Sequence, residues 1–150
     1  MGLDFGSARV GVAISDTDQR VASALDRVAR TGDGAADRRV LTRLVAEEEA
    51  AGVVVGLPLS LDGSLGPAAR AVLDEIDAWT VLLGGLAVET VDERFTTVAA
   101  QQALRAGGRR GPKARQRVDS AAATLLLQSW LDHRQWAARA SARSSDGSAG

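Results

Sequence analysis

The sequence predicts an α/β domain whose sheet mixes strand directions, and three observations carry that reading. The opening "GLDFGSARVGVAISD" sets Leu3 and Phe5, then Val10, Val12 and Ile14, on either side of Gly6-Ser7-Ala8, which reads as two strands joined by a turn. "GVVVG" at 52–56 is short and wholly apolar, the pattern of a strand covered on both faces. Helical periodicities separate and follow these runs. A strand pair followed by alternating helices and strands makes a mixed sheet with helices packed against it.

In chain order, a short strand is expected near Val21–Val28, and "TGDGAADRR" links it to a helix from Ala36 to Ala51. That helix places Val40, Leu41, Leu44 and Val45 inward and Glu47, Glu48 and Glu49 outward. After the apolar strand, "LPLSLDGSLGP" is loop, and Pro67 suits the first turn of a helix carrying Ala71, Val72, Ile76 and Trp79. "LAVETVDERF" reads as a strand ending in acid, and Thr96 or Thr97 can cap a helix to about Ala106. "AGGRRGPKARQR" is glycine-rich and basic, so a mobile loop is expected there. The final helix, "VDSAAATLLLQSWLDHRQW", is opened by Asp119 and packs through Val118, Ala121, Ala122, Leu125 and Trp130. Residues 1–136 then form one domain, and 137–150 a disordered tail poor in apolar residues.

Composition narrows the function. The chain has 150 residues, of which 45% are hydrophobic and 25% charged, so it can bury a core of its own. Its net charge of −1 supplies no global field for a polyanion, so any such contact must be a local patch. The absence of cysteine excludes disulfides and thiolate metal sites. No apolar run approaches a membrane span and no signal-peptide pattern is visible, so a soluble, cytoplasmic protein with no membrane partner is expected.

A carboxylate in a buried strand is costly without a partner, which singles out Asp4. Asp92 and Glu93 close a later strand, and Asp119 stands at the final helix. Sites in open α/β sheets lie at the carboxyl ends of central strands, where such acids can meet. Carboxylates from three elements, without histidine or cysteine, suit a hard cation such as Mg²⁺ or Mn²⁺. Neighbouring strand residues point to opposite faces, so only one of Asp92 and Glu93 is expected to ligate. Plainer roles compete: Asp119 as a helix cap, Asp92 and Arg94 as surface charge, and Asp4 paired with Arg9.

"GLDFGSARVGVAISD", "VVVGLPLSLDGSLGPAA", "VDERFTT" and "VDSAAATLLLQSWLD" occur in that order, and together they resemble the YqgF/RuvX family. These are pre-16S rRNA nucleases, also called Holliday-junction resolvase-like proteins. The resemblance spans Gly2 to about Asp132 and implies a ribonuclease H-like fold, a five-stranded mixed sheet flanked by helices. It implies catalytic, metal-binding acids at Asp4, Glu93 and Asp119, with Asp92 as the alternative ligand, and a Mg²⁺ or Mn²⁺ cofactor. Arg9 and Arg94 would contact phosphate or fix the carboxylates. Gly56, Pro58, Asp62, Gly63 and Gly66 would border the nucleic-acid groove. Arg109, Arg110, Lys113 and Arg115, with Arg105 and Arg117, form the basic patch that net charge did not provide. Family members carry several residues ahead of the first-motif glycine, whereas only Met1 precedes Gly2, so a short first strand is expected.

The leading expectation is a divalent-metal-dependent nuclease acting on the 5′ end of precursor 16S rRNA, free or in a pre-ribosomal particle, as monomer or homodimer. A resolvase of branched DNA would share the same acids, and a non-catalytic nucleic-acid scaffold would not need them. The first motif also resembles the phosphate loop of sugar kinases and actin-like proteins, but those need two such domains around ATP. His133 is read as a surface or capping residue, and Trp79, Trp130 and Trp136 as helix packing rather than stacking on RNA.

Overall fold

The computed structural model describes the backbone of residues 1–94 and 112–146, and their side chains except at 26–27, 112–120 and 144–146. Its five strands are β1 (Gly2–Phe5), β2 (Arg9–Ser15), β3 (Ala22–Ala29), β4 (Val53–Leu57) and β5 (Val88–Asp92). Helices α1 (Gly34–Glu47), α2 (Pro67–Thr80) and α3 (Pro112–Asp146) complete the described elements. The sheet order is β3-β2-β1-β4-β5. β1–β2 and β2–β3 are antiparallel, whereas β1–β4 and β4–β5 are parallel, which is the mixed sheet the sequence predicts. The short first strand is paired at every residue, from Gly2 opposite Ala13 to Phe5 opposite Val10.

Strand alternation divides the core in two. Leu3, Val10, Val12, Val53 and Val55 meet Leu41 and Val45 of α1 and Val72, Ile76 and Trp79 of α2 on one face. The fully buried Trp79 donates its indole N–H to Thr42 Oγ1 at 2.9 Å, so its one polar atom is satisfied. Ala13 and Val54 meet Ala123, Leu126, Leu127 and Leu131 of α3 on the other face. α3 sits close to β1, for a Cβ on Gly2 would lie 2.8 Å from Leu127 Cβ and 3.2 Å from the Ala123 carbonyl oxygen.

Several sequence expectations are corrected. α3 begins at Pro112, so residues 112–117 are helix rather than loop and Asp119 does not open it. Proline suits a first turn, and Lys113-Ala114-Arg115-Gln116-Arg117 are good helix formers, so the helix starts earlier than its apolar run. Among the described residues its buried side chains are Ala123, Leu126, Leu127 and Leu131. Trp130 packs against them as expected, Ala121, Ala122 and Leu125 are only partly buried, and the Val118 side chain lies outside the described set. "AAATLLLQSW" is apolar nearly all round, so periodicity alone leaves the packed face ambiguous. Val40 and Trp136 are exposed. The helix also continues to Asp146, well into the segment expected to be a disordered tail, through alanine and arginine. The expected helix from Thr96 or Thr97, and Arg105, Arg109 and Arg110, lie outside the described residues.

One buried carboxylate escaped the sequence reading. Asp37, in the first turn of α1, accepts from Thr31 N at 3.0 Å and Thr31 Oγ1 at 2.8 Å, with Arg30 Nε 3.8 Å away. Asp33 caps the same helix through the amides of Ala35 and Ala36. This fastens the β3–α1 connection.

The close approach of α3 to β1 is open to test. Gly2→Ala is expected to overpack the Leu127 contact and destabilise the fold by roughly 1–3 kcal/mol in a urea titration. Leu61→Ala, at a side chain 96% exposed, should change stability by less than about 0.5 kcal/mol. Equal stability of Gly2→Ala and wild type would show that α3 does not press on the strand.

Candidate active site

The parallel half of the sheet brings the acids together. β1 and β4 pair Leu3 with Val55, and β4 and β5 pair Gly56 with Val91 and Leu57 with Asp92. Continuing the register puts Asp4 beside Gly56. Asp4 shares strand parity with Gly2, and Gly56 shares it with Val54, so both belong to the face that α3 covers. Glu93 follows β5 directly, its amide donating to the Leu57 carbonyl at 3.1 Å, and its side chain returns over Gly56.

Gly56 is the cradle. A Cβ there would lie 2.5 Å from Glu93 Oε1 and 2.6 Å from Leu126 Cδ1. Any side chain larger than hydrogen would displace either the carboxylate or the helix. Gly56 belongs to the apolar strand expected at 52–56, and it is buried beneath Glu93. Only a glycine inside an otherwise β-branched strand hinted at this close approach.

The electrostatics follow from that crowding. Burial first, then the Asp4 charge, a hydrogen bond with Asp4 and the charge of Asp92, push Glu93 from its ordinary value near 4.5 up to about 7. Two carboxyl groups therefore share a half-buried space, hydrogen-bonded to each other, and each disfavours ionisation of the other. Hard oxygen donors in mutual repulsion are the donor set that a small divalent cation relieves. The pair thus fits the Mg²⁺ or Mn²⁺ expected from the sequence.

Asp92 faces a different task. Arg94 Nε donates to both its carboxylate oxygens, at 3.0 and 2.9 Å, Arg94 Nη2 to Oδ2 at 2.6 Å, and the Arg94 amide to Oδ1 at 3.0 Å. These side-chain hydrogen bonds, with the backbone one, hold the Asp92 carboxyl below the usual range. Arg94 Nη1 also donates to the Leu61 carbonyl at 3.2 Å, and a Cβ on Gly63, at φ +84°, would lie 3.4 Å from that nitrogen. Asp92 and Arg94 thereby tie the end of β5 to the β4–α2 loop. In that loop Asp62 accepts from Ser64 N at 2.9 Å, and Gly63 N donates to Ser60 O at 2.8 Å.

Asp119 lies in α3 two helical turns, about 10 Å, before Leu126, close to the same angular position around the helix. Its side chain, like those of Lys113 and Arg115, is outside the described set. A residue this deep in a helix has no orphan amide to cap, which removes the capping role. Arg9 opens β2, and strand parity with Ala13 puts it on the α3 face as well. Among the described residues, no three histidine, cysteine or acidic side chains form a metal-binding group. The described nucleus is the pair Asp4 and Glu93.

Comparison with known proteins adds the following. The RuvX family model, described as Holliday junction resolvase, matches residues 1–133. A Mycobacterium sp. (strain KMS) protein named "Putative pre-16S rRNA nuclease" is 44% identical over 135 residues, 90% of this chain and 80% of that one. A Mycolicibacterium paratuberculosis protein of the same name is 45% identical over 139 residues, covering 93% and 83%. Among solved structures, T. thermophilus RuvC in complex with Holliday junction substrate aligns with a TM-score of 0.55 at 15% identity, covering 89% of this chain and 93% of that one. At that identity the likeness concerns the fold, the ribonuclease H-like arrangement expected from the sequence.

The raised value of Glu93 has a consequence for stability. Its folded value lies above its unfolded one, so its contribution is fully present below about pH 4.5 and is lost as pH rises through about 7. In chelator, wild type should therefore lose stability across that window. Glu93→Gln, which cannot ionise, should show a flatter profile and be the more stable protein at pH 8. Parallel profiles of the two proteins in urea melts from pH 4 to 8 would show that the carboxylates do not repel.

Proposed function

Because the chain belongs to the RuvX Holliday junction resolvase family, we propose that it is a divalent-metal-dependent nuclease that processes the 5′ end of precursor 16S rRNA in ribosome biogenesis. The observation that carries this reading is the convergence of Asp4 and Glu93 above Gly56. In it, Asp4, Glu93 and Asp119 hold Mg²⁺ or Mn²⁺, while Asp92 orients Arg94 and the β4–α2 loop instead of ligating. A bound divalent cation would supply charge neutralisation at the phosphodiester and acidification of the attacking water. The chain's own residues do the rest. Glu93 and Asp4, both ionised, would hold the cation from the β5 and β1 sides, and their placement over Gly56 would fix where it sits.

Arg9 would meet the phosphate from β2, and Arg109, Arg110, Lys113 and Arg115 would hold the flanking backbone through salt-dependent contacts. Arg94, occupied by Asp92 and Leu61, acts in this reading by positioning the loop that borders the groove. RNA is preferred as substrate because relatives at 42–45% identity carry the rRNA nuclease name. The family description favours a second reading, cleavage of four-way DNA junctions by the same acids.

Incubating the protein with precursor 16S rRNA and with a four-way DNA junction, in Mg²⁺, Mn²⁺ or EDTA, separates these readings. Cleavage of the RNA, abolished by EDTA, is expected. Asp4→Asn and Asp119→Asn should each lower it by roughly a hundredfold or more, since loss of supporting groups alone costs metal sites 10–100-fold. Wild type should gain about 2.7 kcal/mol of stability at a hundred times the metal's dissociation constant, a gain both variants should largely lose. Metal stabilisation retained in Asp119→Asn would remove Asp119 from the site. Cleavage of the junction alone would favour the second reading.

A further inference from the structure

α3 outlasts the body it packs on. Gln128 accepts from Ala22 N at 2.8 Å and donates to Arg20 O at 2.9 Å, and Gln135 donates to Gln19 O at 3.1 Å, so the helix is pinned to the β2–β3 turn. Among the described residues Leu131 is its last buried one, and from Trp136 to Arg143 every residue is exposed. This segment lies beyond residue 133, where the family match ends.

Trp136 is 68% exposed, unlike the chain's other tryptophans. Trp79 is fully buried, and Trp130 packs against the α3 core while donating to Glu89 Oε2 at 3.0 Å. Trp136 is not held by the core. The His133 ring stacks on it instead, with centroids 6.3 Å apart and planes 29° from parallel. Arg139 and Arg143 follow at i+3 and i+7, so all three lie along one stripe of the helix. No acidic residue occurs between His133 and Ser145. An aromatic face flanked by cations along a helix matches a single nucleic-acid strand, which presents π-faces and regularly spaced phosphates. A lipid surface would require more apolar side chains than one tryptophan among alanine, serine and arginine.

We propose that Trp136, Arg139 and Arg143 form a second contact for single-stranded RNA, the indole stacking on a base and the two guanidinium groups pairing with adjacent phosphates. This contact rests on the nuclease reading and extends it. Trp136 comes ten residues, about 15 Å, along α3 after Leu126, which packs beside Glu93 over Gly56. Substrate would thus be gripped at two points, with the cleavage site beside Leu126 and a sequence-tolerant anchor farther along the helix.

The test uses the full-length protein, an unstructured 20-nucleotide RNA and EDTA, read by anisotropy and by tryptophan emission. Trp136→Ala should weaken binding roughly 5- to 100-fold with an unchanged melting temperature. Trp136→Phe should keep most of the affinity yet lose the emission quenching that RNA causes in wild type. Arg139→Gln with Arg143→Gln should lower the slope of log K against log salt by about 1.4. Unchanged affinity in Trp136→Ala together with an unchanged salt slope overturns the contact. If metal-dependent cleavage then persists in wild type, the nuclease reading survives without it. A wild-type protein that neither cleaves nor binds RNA overturns both.

Discussion

Two carboxylates crowded above a glycine set the terms for the rest of this structure. Asp4 and Glu93 come from strands that are not neighbours, and β4 between them contributes no side chain at the point where they meet, because Gly56 has none. The parallel pairing of β1, β4 and β5 makes that row possible, since it brings three carboxyl ends to one edge of the sheet. Leu126 closes the space from the helix side, so the acids are half-buried, and burial is the largest cause of Glu93's raised value. A site of this kind destabilises the metal-free protein near neutrality. The two-sided core around it must supply the compensating stability.

The neighbouring acids divide their work by environment. Asp92 and Glu93 are adjacent in sequence, yet one is held low by four hydrogen bonds from Arg94 and the other is pushed high by Asp4 and burial. Strand alternation turns them to opposite sides, and the arginine then commits Asp92 to bracing the β4–α2 loop. An ionised, saturated carboxylate is a poor ligand and a good strut. Glu93 is the reverse.

Much of this was legible in the sequence, for physical reasons that differ by element. "GVVVG" announced a strand covered on both faces because no polar residue interrupts it, and Asp4 stood out because strands rarely bury an unpartnered charge. The packed face of α3 was not legible. Its apolar residues surround the helix, and only contact with Ala13, Val54 and Gly2 selects Ala123, Leu126 and Leu127. The start of α3 was missed because basic residues beside glycines read as loop, although each is a good helix former once proline has set the first turn. Trp136 was assigned to packing by composition alone, and nothing in its spacing reveals that the core ends at Leu131. The role of Gly56 needed three dimensions, because the atoms that exclude a side chain there come from residues 93 and 126.

The central claim is that Asp4 and Glu93 share one space and that a divalent cation resolves their repulsion. The most direct measurement is the carboxyl-carbon titration of Glu93 by NMR, in EDTA and then in excess Mg²⁺. The account predicts a midpoint near 7 without metal, and a fall of more than one pH unit when Mg²⁺ is added or when Asp4 is replaced by asparagine. A midpoint near 4.5 in all three conditions would mean that the two carboxylates do not interact, and would contradict the account.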